Sequence, residues 1–445
     1  MKKTDTSKAP WQELVNDCPL PTELFLHKNE TLSLEFQDKK LKQINTKESN
    51  DSALRLINNN QIGFSAGAIG TPFPVLYQSA ENVSRYGQKA YFQFTTGEGK
   101  PQVWSKIEPE ITALTLENLI EYGHTLQERL CQEKPGYMVR VGLSKVNEAV
   151  HIITNSGLDR TYSRNSYGLS FSLEKTQEGD IIDYHFRFNH IPTNEELEEA
   201  LQESFTSLDL CENVVSLPGG SYPVLFHPHS LATLLSPFQR ALMASSVYNK
   251  SSPLKDKLEQ QILSEKITFS DDPLWEQGIR QRPFDDEGVL SQTTTIVDKG
   301  ILKSFLNNLD YAGRLNMKPN GNAARLGMFG KSTKFQPTMY FTNQIMMPGD
   351  DHLADMKKSI TTGLLLDHSA DCWQGANING DFSGTVNLGF LIKNGSAVGR
   401  VKNMRLAGNI YQLFGPQLEG VSRERKTMND VVLFPYLLSR DVALS

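Results

Sequence analysis

The order in which apolar periodicities follow one another constrains the fold of this chain more than any other feature. Leu32, Leu34 and Phe36 alternate with polar neighbours, which is the pattern of a half-buried strand. A helical spacing of leucines follows in 116–130, and strand-like runs return in 137–188. Because strands and helices come in blocks, the chain is predicted to be α+β with mainly antiparallel pairing.

Turn-forming residues suggest where the chain divides. A Leu-Pro-Gly-Gly segment at 217–220 interrupts the pattern just before an apolar run at 222–226. We therefore predict a flexible N-terminal tail at 1–20, an N-terminal α+β domain with an antiparallel sheet at 21–217, and a β-rich C-terminal domain at 218–445.

Several local signals predict individual elements. Thr193 and Glu196 have the spacing of a capping box and are followed by a helical stripe of leucines. Asn394-Gly395 between two apolar runs predicts a tight hairpin. A looser apolar spacing predicts a helix over 80–92.

Composition narrows the classes of function. The formal net charge is −6, from 45 basic and 51 acidic residues, which argues against a nucleic-acid-binding surface. The four cysteines show no paired spacing, so neither a disulfide framework nor a zinc ribbon is predicted. No apolar h-region follows the first lysines, and no run approaches the roughly 20 apolar residues of a membrane span. We expect a cytoplasmic protein with no membrane and no nucleic-acid partner.

The nine histidines lack the local spacing of a zinc hydrolase. None of them opens an HExxH or HExxxH sequence. Such an enzyme needs two imidazoles on one helical face and a nearby carboxylate that activates water. No local segment of this chain supplies that set.

The C-terminal half nevertheless resembles the TldD/PmbA family, also called TldD/TldE. No single segment is specific for this family, but the order of several segments over more than a hundred residues is. The segments that carry the resemblance are RPFDDEGV at 282–289, VDKGILKSFL at 297–306, YAGRL at 311–315, NGNA at 320–323, QG at 374–375, NGDFS at 379–383, GFLIKNG at 389–395 and LAGN at 406–409.

The resemblance implies a division of labour between two subunits. In that family a TldD-like subunit carries an HExxxH helix and a later cysteine as metal ligand, whereas its PmbA- or TldE-like partner lacks both. Here Ser236 and Ala241 stand in place of the two histidines, Pro237 in place of the glutamate and Asn429 in place of the cysteine. The resemblance therefore implies no catalytic residue, no metal ligand and no cofactor in this chain, with zinc in a TldD-like partner.

Five polar residues are predicted as candidate contacts to a peptide or to the partner subunit. Crowded carboxylates can serve acid–base chemistry or bind a hard cation, although Asp-Glu-Gly is also ordinary turn chemistry with an arginine at hand. The glycine-rich segment 375–395 is a second candidate, because a free strand edge can accept an extended peptide. The five residues are Arg282, Asp285, Asp286, Asn379 and Asp381.

Two other constellations are interpreted as structural. His227 and His229 flank Pro228 and would share one face of an extended segment, but no third ligand is apparent nearby. His368 and Cys372 could form a reactive pair if they touched in space, which sequence proximity does not establish.

The predicted function is that of a non-catalytic subunit in a heterodimeric TldD/TldE zinc metalloprotease that degrades or processes peptides. Two alternatives stay open. One is an independent hydrolase with an unrecognised site, for example around His368 and Cys372. The other is a scaffold or regulatory protein such as a gyrase modulator, as an older name of the family suggests.

Overall fold

The computed structural model describes residues 9–68, 70–97, 102–177, 180–327, 330–370 and 377–445. Within these residues the strands form two large sheets, of seven and twelve strands, and two short two-stranded pairs. Most pairs are antiparallel and the helices lie between blocks of strands, so the predicted α+β class is confirmed.

The N-terminal sheet is built from long strands that pair almost along their whole length. Its order is β3-β2-β1-β5-β6-β4, with β7 also paired to β6. Positive backbone φ angles at Lys39 and Asn60 make the tight turns at both ends of β2. The strands are β1 (Thr22–Gln37), β2 (Lys40–Asn58), β3 (Gln61–Ala68), β4 (Gln102–Lys106), β5 (Met138–Thr154), β6 (Asp159–Gln177) and β7 (Asp180–Phe188).

Five helices accompany this sheet, and two of them begin with capping boxes. Thr193 and Glu196 cap each other's backbone at the start of α5, as predicted. Thr115 and Asn118 do the same for α4. The helices are α1 (Ala9–Asn16), α2 (Phe73–Ser84), α3 (Pro109–Ala113), α4 (Leu116–Glu133) and α5 (Asn194–Glu212).

The C-terminal sheet places β9 at its centre, parallel to β18 and antiparallel to β23. Its strands are β8 (Val214–Val215), β9 (Gly220–Phe226), β10 (Phe269–Asp271), β11 (Thr294–Asp298), β12 (Ile301–Leu302), β17 (Gln344–Met346), β18 (Thr362–Ala370), β19 (Asp381–Lys393), β20 (Ser396–Val401), β21 (Arg405–Asn409), β22 (Leu418–Met428) and β23 (Val432–Leu444).

The remaining elements of this half are short. The two-stranded pairs join β13 (Ala323–Ala324) to β16 (Thr338–Met339) and β14 (Leu326–Gly327) to β15 (Gly330–Lys331). The helices are α6 (Pro228–Leu234), α7 (Ser236–Ala241), α8 (Ala244–Tyr248), α9 (Leu309–Leu315), α10 (Leu353–Lys358) and α11 (Ile410–Leu413). No helix of the described residues is long and apolar enough to cross a membrane.

One predicted helix differs from the structure, whereas the bounds of the predicted tail and domains stay a prediction. The helix predicted over 80–92 is instead α2, because Pro74 lies in its first turn and the stripe begins at Phe73. Beyond the end of α2, position 87 requires a glycine, since a Cβ there would lie 2.0 Å from the Ile62 carbonyl oxygen. Within the predicted tail, α1 buries Val15 completely.

Candidate functional site

A group of buried charges joins the two halves of the chain; we call Glu23, Arg55, Glu287 and Arg325 the ionic junction. Arg55 donates to both carboxylate oxygens of Glu23, at 2.6 and 2.8 Å, and to Glu287 at 2.7 Å. Arg325 donates to Glu23 at 2.7 Å. All four side chains are at most 3% exposed, so this junction is interior structure rather than a binding surface.

Three of the predicted contact residues lie beside this junction and are also buried. Asp285 accepts the backbone N–H groups of Glu287, Val289 and Ala323 at 2.9 Å each. Burial, together with the neighbouring Glu287 carboxylate, raises the pKa of Asp285 to about 7.

Asp286 is held by a different set of partners. Lys331 lies 2.8 Å from it, and the Arg325 backbone N–H donates to it at 2.7 Å. Burial opposes its ionisation, but Lys331 and Arg282 outweigh burial and lower its pKa. Arg282, 7% exposed, donates to the carbonyl oxygen of Ala323. Asp285, Asp286 and Arg282 are therefore held inside the chain, although Arg282 and Asp286 also line a cavity of about 210 Å³. Contact with a peptide or a partner stays a prediction for these three residues.

The other two predicted contact residues are exposed. Asn379 and Asp381 lie at the turn that opens β19. Asn409 and Asn377 donate to the Asp381 carboxylate at 2.8 and 3.1 Å, and these hydrogen bonds lower its pKa. Contact with a peptide or a partner stays a prediction for these two residues.

The predicted strand-addition site at 375–395 is paired on both sides over only part of its described length. Strand β19 pairs with β18 on one side and with β20 and β21 on the other. The preceding 375–376 lie outside the described residues, as do Asp371 and Cys372. At Thr385 and over 390–393, where β19 is paired on both sides, an extended peptide cannot pair with it without displacing a neighbour.

The segment after β9 forms two short helices rather than one long helix. His227 caps α6, and Pro228 occupies the first turn, so His229 lies on a helix and not on the extended segment predicted from the sequence. A separate helix, α7, begins at Ser236, and its first turn contains Pro237. Phe238 is buried in the core of the C-terminal half.

Helix α7 lies close to the turn between β22 and β23. The Gln239 side chain donates to Gln344 at 2.7 Å, and the backbone N–H of Gln344 donates to the Val431 carbonyl at 2.8 Å. In the turn itself, Asp430 accepts the N–H of Asn189 and lies 3.0 Å from His190 Nδ1. The sequence neighbourhoods of Ser236 and Asn429 are thus linked in space through Gln344.

Three imidazoles surround one buried carboxylate where β9 ends beside β18. We call His227, His229, Asp367 and His368 the imidazole cluster. Asp367 Oδ1 lies 3.4 Å from His227 Nδ1, 3.9 Å from His229 Nδ1 and 3.3 Å from His368 Nδ1. The Asp367 side chain is 8% exposed, which makes these imidazoles its immediate neighbours in the interior.

The strand pairing explains how the imidazole cluster assembles. Phe226 pairs with Leu366 in parallel, which puts the next residue of each strand, His227 and Asp367, side by side. In the pairing of β18 with β19, Leu366 is opposite Gly389 and His368 is opposite Leu388, so Asp367 is the extra residue of a bulge. On a regular strand, Asp367 and His368 would point to opposite faces, and the bulge allows both to reach the same place.

The protonation of the imidazole cluster is set by burial and by its own charges. Burial, with the nearby His368, lowers the pKa of His229 to about 3, so that this imidazole is neutral at physiological pH. Burial opposes ionisation of Asp367, but His227 and His368 outweigh burial and lower its pKa. The cluster therefore combines a neutral imidazole with an ionised carboxylate.

A cavity of about 530 Å³ opens beside the imidazole cluster. His227 and His229 line it together with His185 and Glu203, and Lys426 forms an ion pair with Glu203. Sequence reasoning identified the two histidines but found no third ligand. Asp367 and His368 are 138 or more positions away in the chain, and the bulge that presents them leaves no sequence signal.

The family model, the related sequences and the solved structures that match this chain point to the same family. Residues 219–445, just over half of the chain, match the family model described as the PmbA/TldA metallopeptidase C-terminal domain. An uncharacterised protein of Methanocaldococcus jannaschii is 24% identical over 93% of this chain and 95% of its own length. Metalloprotease PmbA of Escherichia coli O157:H7 is 29% identical, over 43% of this chain and 39% of that protein.

Solved structures share the whole fold. The crystal structure of TldE from Thermococcus kodakarensis matches with a TM-score of 0.84, 20% identity and 98% coverage of both chains. A Thermotoga maritima protein described as a candidate modulator of a DNA gyrase matches with a TM-score of 0.83 and 20% identity, over 97% of this chain and 98% of that one. The fold agreement and the matched C-terminal half lead to one conclusion: the chain belongs to the TldD/PmbA family of metallopeptidases.

Proposed function

We propose that this chain is the non-catalytic, PmbA/TldE-like subunit of a two-subunit zinc metalloprotease that degrades or processes peptides. The observation that carries the proposal is the chemistry at the positions that the family's motif assigns to zinc. They hold Ser236, Pro237 and Ala241 on α7 and Asn429 in the β22–β23 turn. None of these residues offers an imidazole or a thiolate, and none offers a carboxylate that can activate water.

The local backbone supports the same reading. A zinc helix must present its two histidines and its glutamate from a continuous helix, whereas α6 and α7 are separate and Pro237 removes a backbone donor. Ala241 is completely buried, so its position faces the core and not a cleft. These residues do not fit zinc, and we assign no step of peptide hydrolysis to them.

In this proposal the catalytic zinc resides in a TldD-like partner, and this chain closes the partner's cleft and restricts it to small or unfolded peptides. Asn379 and Asp381 are the exposed candidates for contact, because their turn projects at the start of β19. A cytoplasmic location is part of the proposal.

The test is co-expression with a TldD-like chain from the same genome, followed by purification and assay of peptide cleavage for each chain alone and for the complex. We expect a stable complex whose cleavage is abolished when the glutamate of the partner's HExxxH motif becomes glutamine. Cleavage that survives that change, or two chains that never associate, would refute the proposal.

A pair of surface variants refines the assay. The double variant that carries Asn379→Ala and Asp381→Ala should associate more weakly with the partner or show a raised KM for peptides. The control is Asp298→Ala, which removes an exposed carboxylate from the β11–β12 hairpin. Equal effects of the two changes would remove Asn379 and Asp381 from the proposed contact.

A further inference from the structure

The imidazole cluster has the composition of a metal site, and the family's zinc motif does not account for it. His229, Asp367 and His368 each offer one ligand atom, and these atoms all lie within 4.8 Å of one another. We propose that His229, His368 and Asp367 bind a divalent first-row transition-metal ion such as Zn²⁺, in a site separate from the family's catalytic position.

The unsatisfied nitrogens of the imidazole cluster are the first argument. His368 Nδ1 and His227 Nε2 are buried and make no hydrogen bond to any of the described residues, although Asp367 Oδ1 lies 3.3 Å from the first nitrogen and Glu203 Oε1 lies 3.6 Å from the second. Buried polar atoms almost always have a partner, so an orphaned nitrogen beside a carboxylate calls for one. A cation bound between His229, His368 and Asp367 would provide that partner for His368.

The ligand atoms, which lie within 4.8 Å of one another, have to move closer to reach the spacing of a metal site. Bonds of about 2.0–2.2 Å from Zn²⁺ to imidazole nitrogen and carboxylate oxygen place tetrahedral ligand atoms roughly 3.3 Å apart. Asp367 Oδ1 and His368 Nδ1 already have that separation, at 3.3 Å, and His229 Nδ1 lies 3.9 Å from the same oxygen. Side-chain rotation of His229 would close the site.

The chemistry of the coordinating atoms also indicates which class of metal ion the site would bind. Two imidazoles and a carboxylate suit zinc and its first-row neighbours, whereas calcium and magnesium take oxygen ligands. The bulge at Asp367 is the kind of strand irregularity that proteins use to aim side chains into a site. The side chains of His229 and His368 are 28% and 32% exposed, and the adjoining cavity gives an ion a route in.

The site does not rest on the proposed function. His229 lies in the first turn of α6, whereas the family's first ligand position, Ser236, begins the next helix. A chain that binds zinc at the imidazole cluster can therefore still lack peptidase activity, and a chain that lacks zinc can still serve as a partner subunit.

The test is metal loading of the isolated full-length chain. The protein is stripped with a chelator, dialysed against Zn²⁺ and analysed for bound metal by mass spectrometry, with affinity measured by competition against a chromophoric chelator. We expect one Zn²⁺ per chain, and at least tenfold weaker binding in both His229→Ala and His368→Ala.

Two further proteins keep the test decisive. The first is Asp367→Asn, which preserves the size of the side chain and should also fail to bind the ion. A separate experiment replaces Zn²⁺ by Co²⁺ in the wild type, which should give the visible absorption of a tetrahedral site. The control is His352→Ala, which removes a half-exposed histidine paired with Glu424 and should bind Zn²⁺ as the wild type does. Substoichiometric zinc in the wild type, or zinc that is retained when His229 and His368 are both replaced, would overturn the proposal.

Discussion

The ionic junction and the imidazole cluster both bury carboxylates, but they neutralise them with different partners. In the junction, Arg55 donates to Glu23 and Glu287 at 2.6–2.8 Å, and the remaining carboxylate oxygen of Glu287 accepts the N–H of Leu309. In the cluster, Asp367 faces imidazoles at 3.3–3.9 Å, and its ion pairs within the described residues include no guanidinium.

The difference separates a structural group from a group that can bind a ligand. Guanidinium is permanently charged and has no lone pair to offer, so the junction is complete without an additional ion. Imidazole is an acceptor when neutral, and the cluster keeps His229 neutral beside an ionised Asp367. Equal burial therefore does not imply equal function; the protonation state of the partner decides what the site can do.

The largest effect is expected when the junction is broken. Arg55→Ala leaves Glu23 and Glu287 buried without their shared cation, which typically costs about 3–5 kcal/mol of the free energy of unfolding. Chemical denaturation measures this loss.

The surface pair Arg129–Glu198 is the matched control, with side chains 36% and 57% exposed. Arg129→Ala should cost less than about 1 kcal/mol, because solvent screens such a pair. If the two arginine variants lose equal stability, the junction does not hold the two halves together as described.

A somewhat smaller effect is expected when zinc is added to the folded chain. At a free Zn²⁺ concentration 100 times Kd, binding to the native state alone raises the free energy of unfolding by about 2.7 kcal/mol. The wild type and Arg55→Ala should both gain this amount in denaturation experiments, and Asp367→Asn should gain none. An equal gain in Asp367→Asn would mean that zinc stabilises the chain elsewhere.

The smallest effect concerns an imidazole–carboxylate pair outside the imidazole cluster, His190 with Asp430. His190 Nδ1 lies 3.0 Å from Asp430, and this hydrogen bond outweighs burial and raises the pKa of His190. A raised folded pKa stabilises the chain fully below the unfolded value, about 6.5, and this stabilisation is lost as pH rises through the folded value. His190 is 41% exposed, so screening limits the effect to less than about 1 kcal/mol.

The measurement is the free energy of unfolding at pH 6 and pH 8. The wild type should lose more stability over this interval than His190→Gln, which cannot be protonated. An identical loss in both proteins would show that the pair with Asp430 does not favour the protonated imidazole, and the contrast with the neutral His229 would then disappear.

Much of the fold is predictable because its determinants are local. The capping box of Thr193 and Glu196 fixes where α5 begins, and Asn394-Gly395 adopts the positive φ angles that a two-residue hairpin needs. The alternation of Leu34 and Phe36 predicts a strand face that is buried in the structure. Each of these signals spans only a few residues.

The imidazole cluster was not predictable, because its determinants are distant. His229 depends on a helix start at Pro228, which the sequence pattern favoured as an extended segment. Asp367 and His368 converge through a bulge and through a parallel pairing of β9 with β18, neither of which leaves a short-range pattern. Asp285 and Asp286 show a related limit: their crowding suggested a contact site, and their burial beside Arg325 could not be read from their neighbours in the sequence.

The most direct test of this account is one sample of the isolated, zinc-loaded chain in which bound zinc and peptide cleavage are measured together. We predict one Zn²⁺ per chain and no cleavage, with cleavage appearing when a TldD-like partner is added. Cleavage by the isolated chain that is lost in His229→Ala would contradict the account, because the imidazole cluster would then be a catalytic centre.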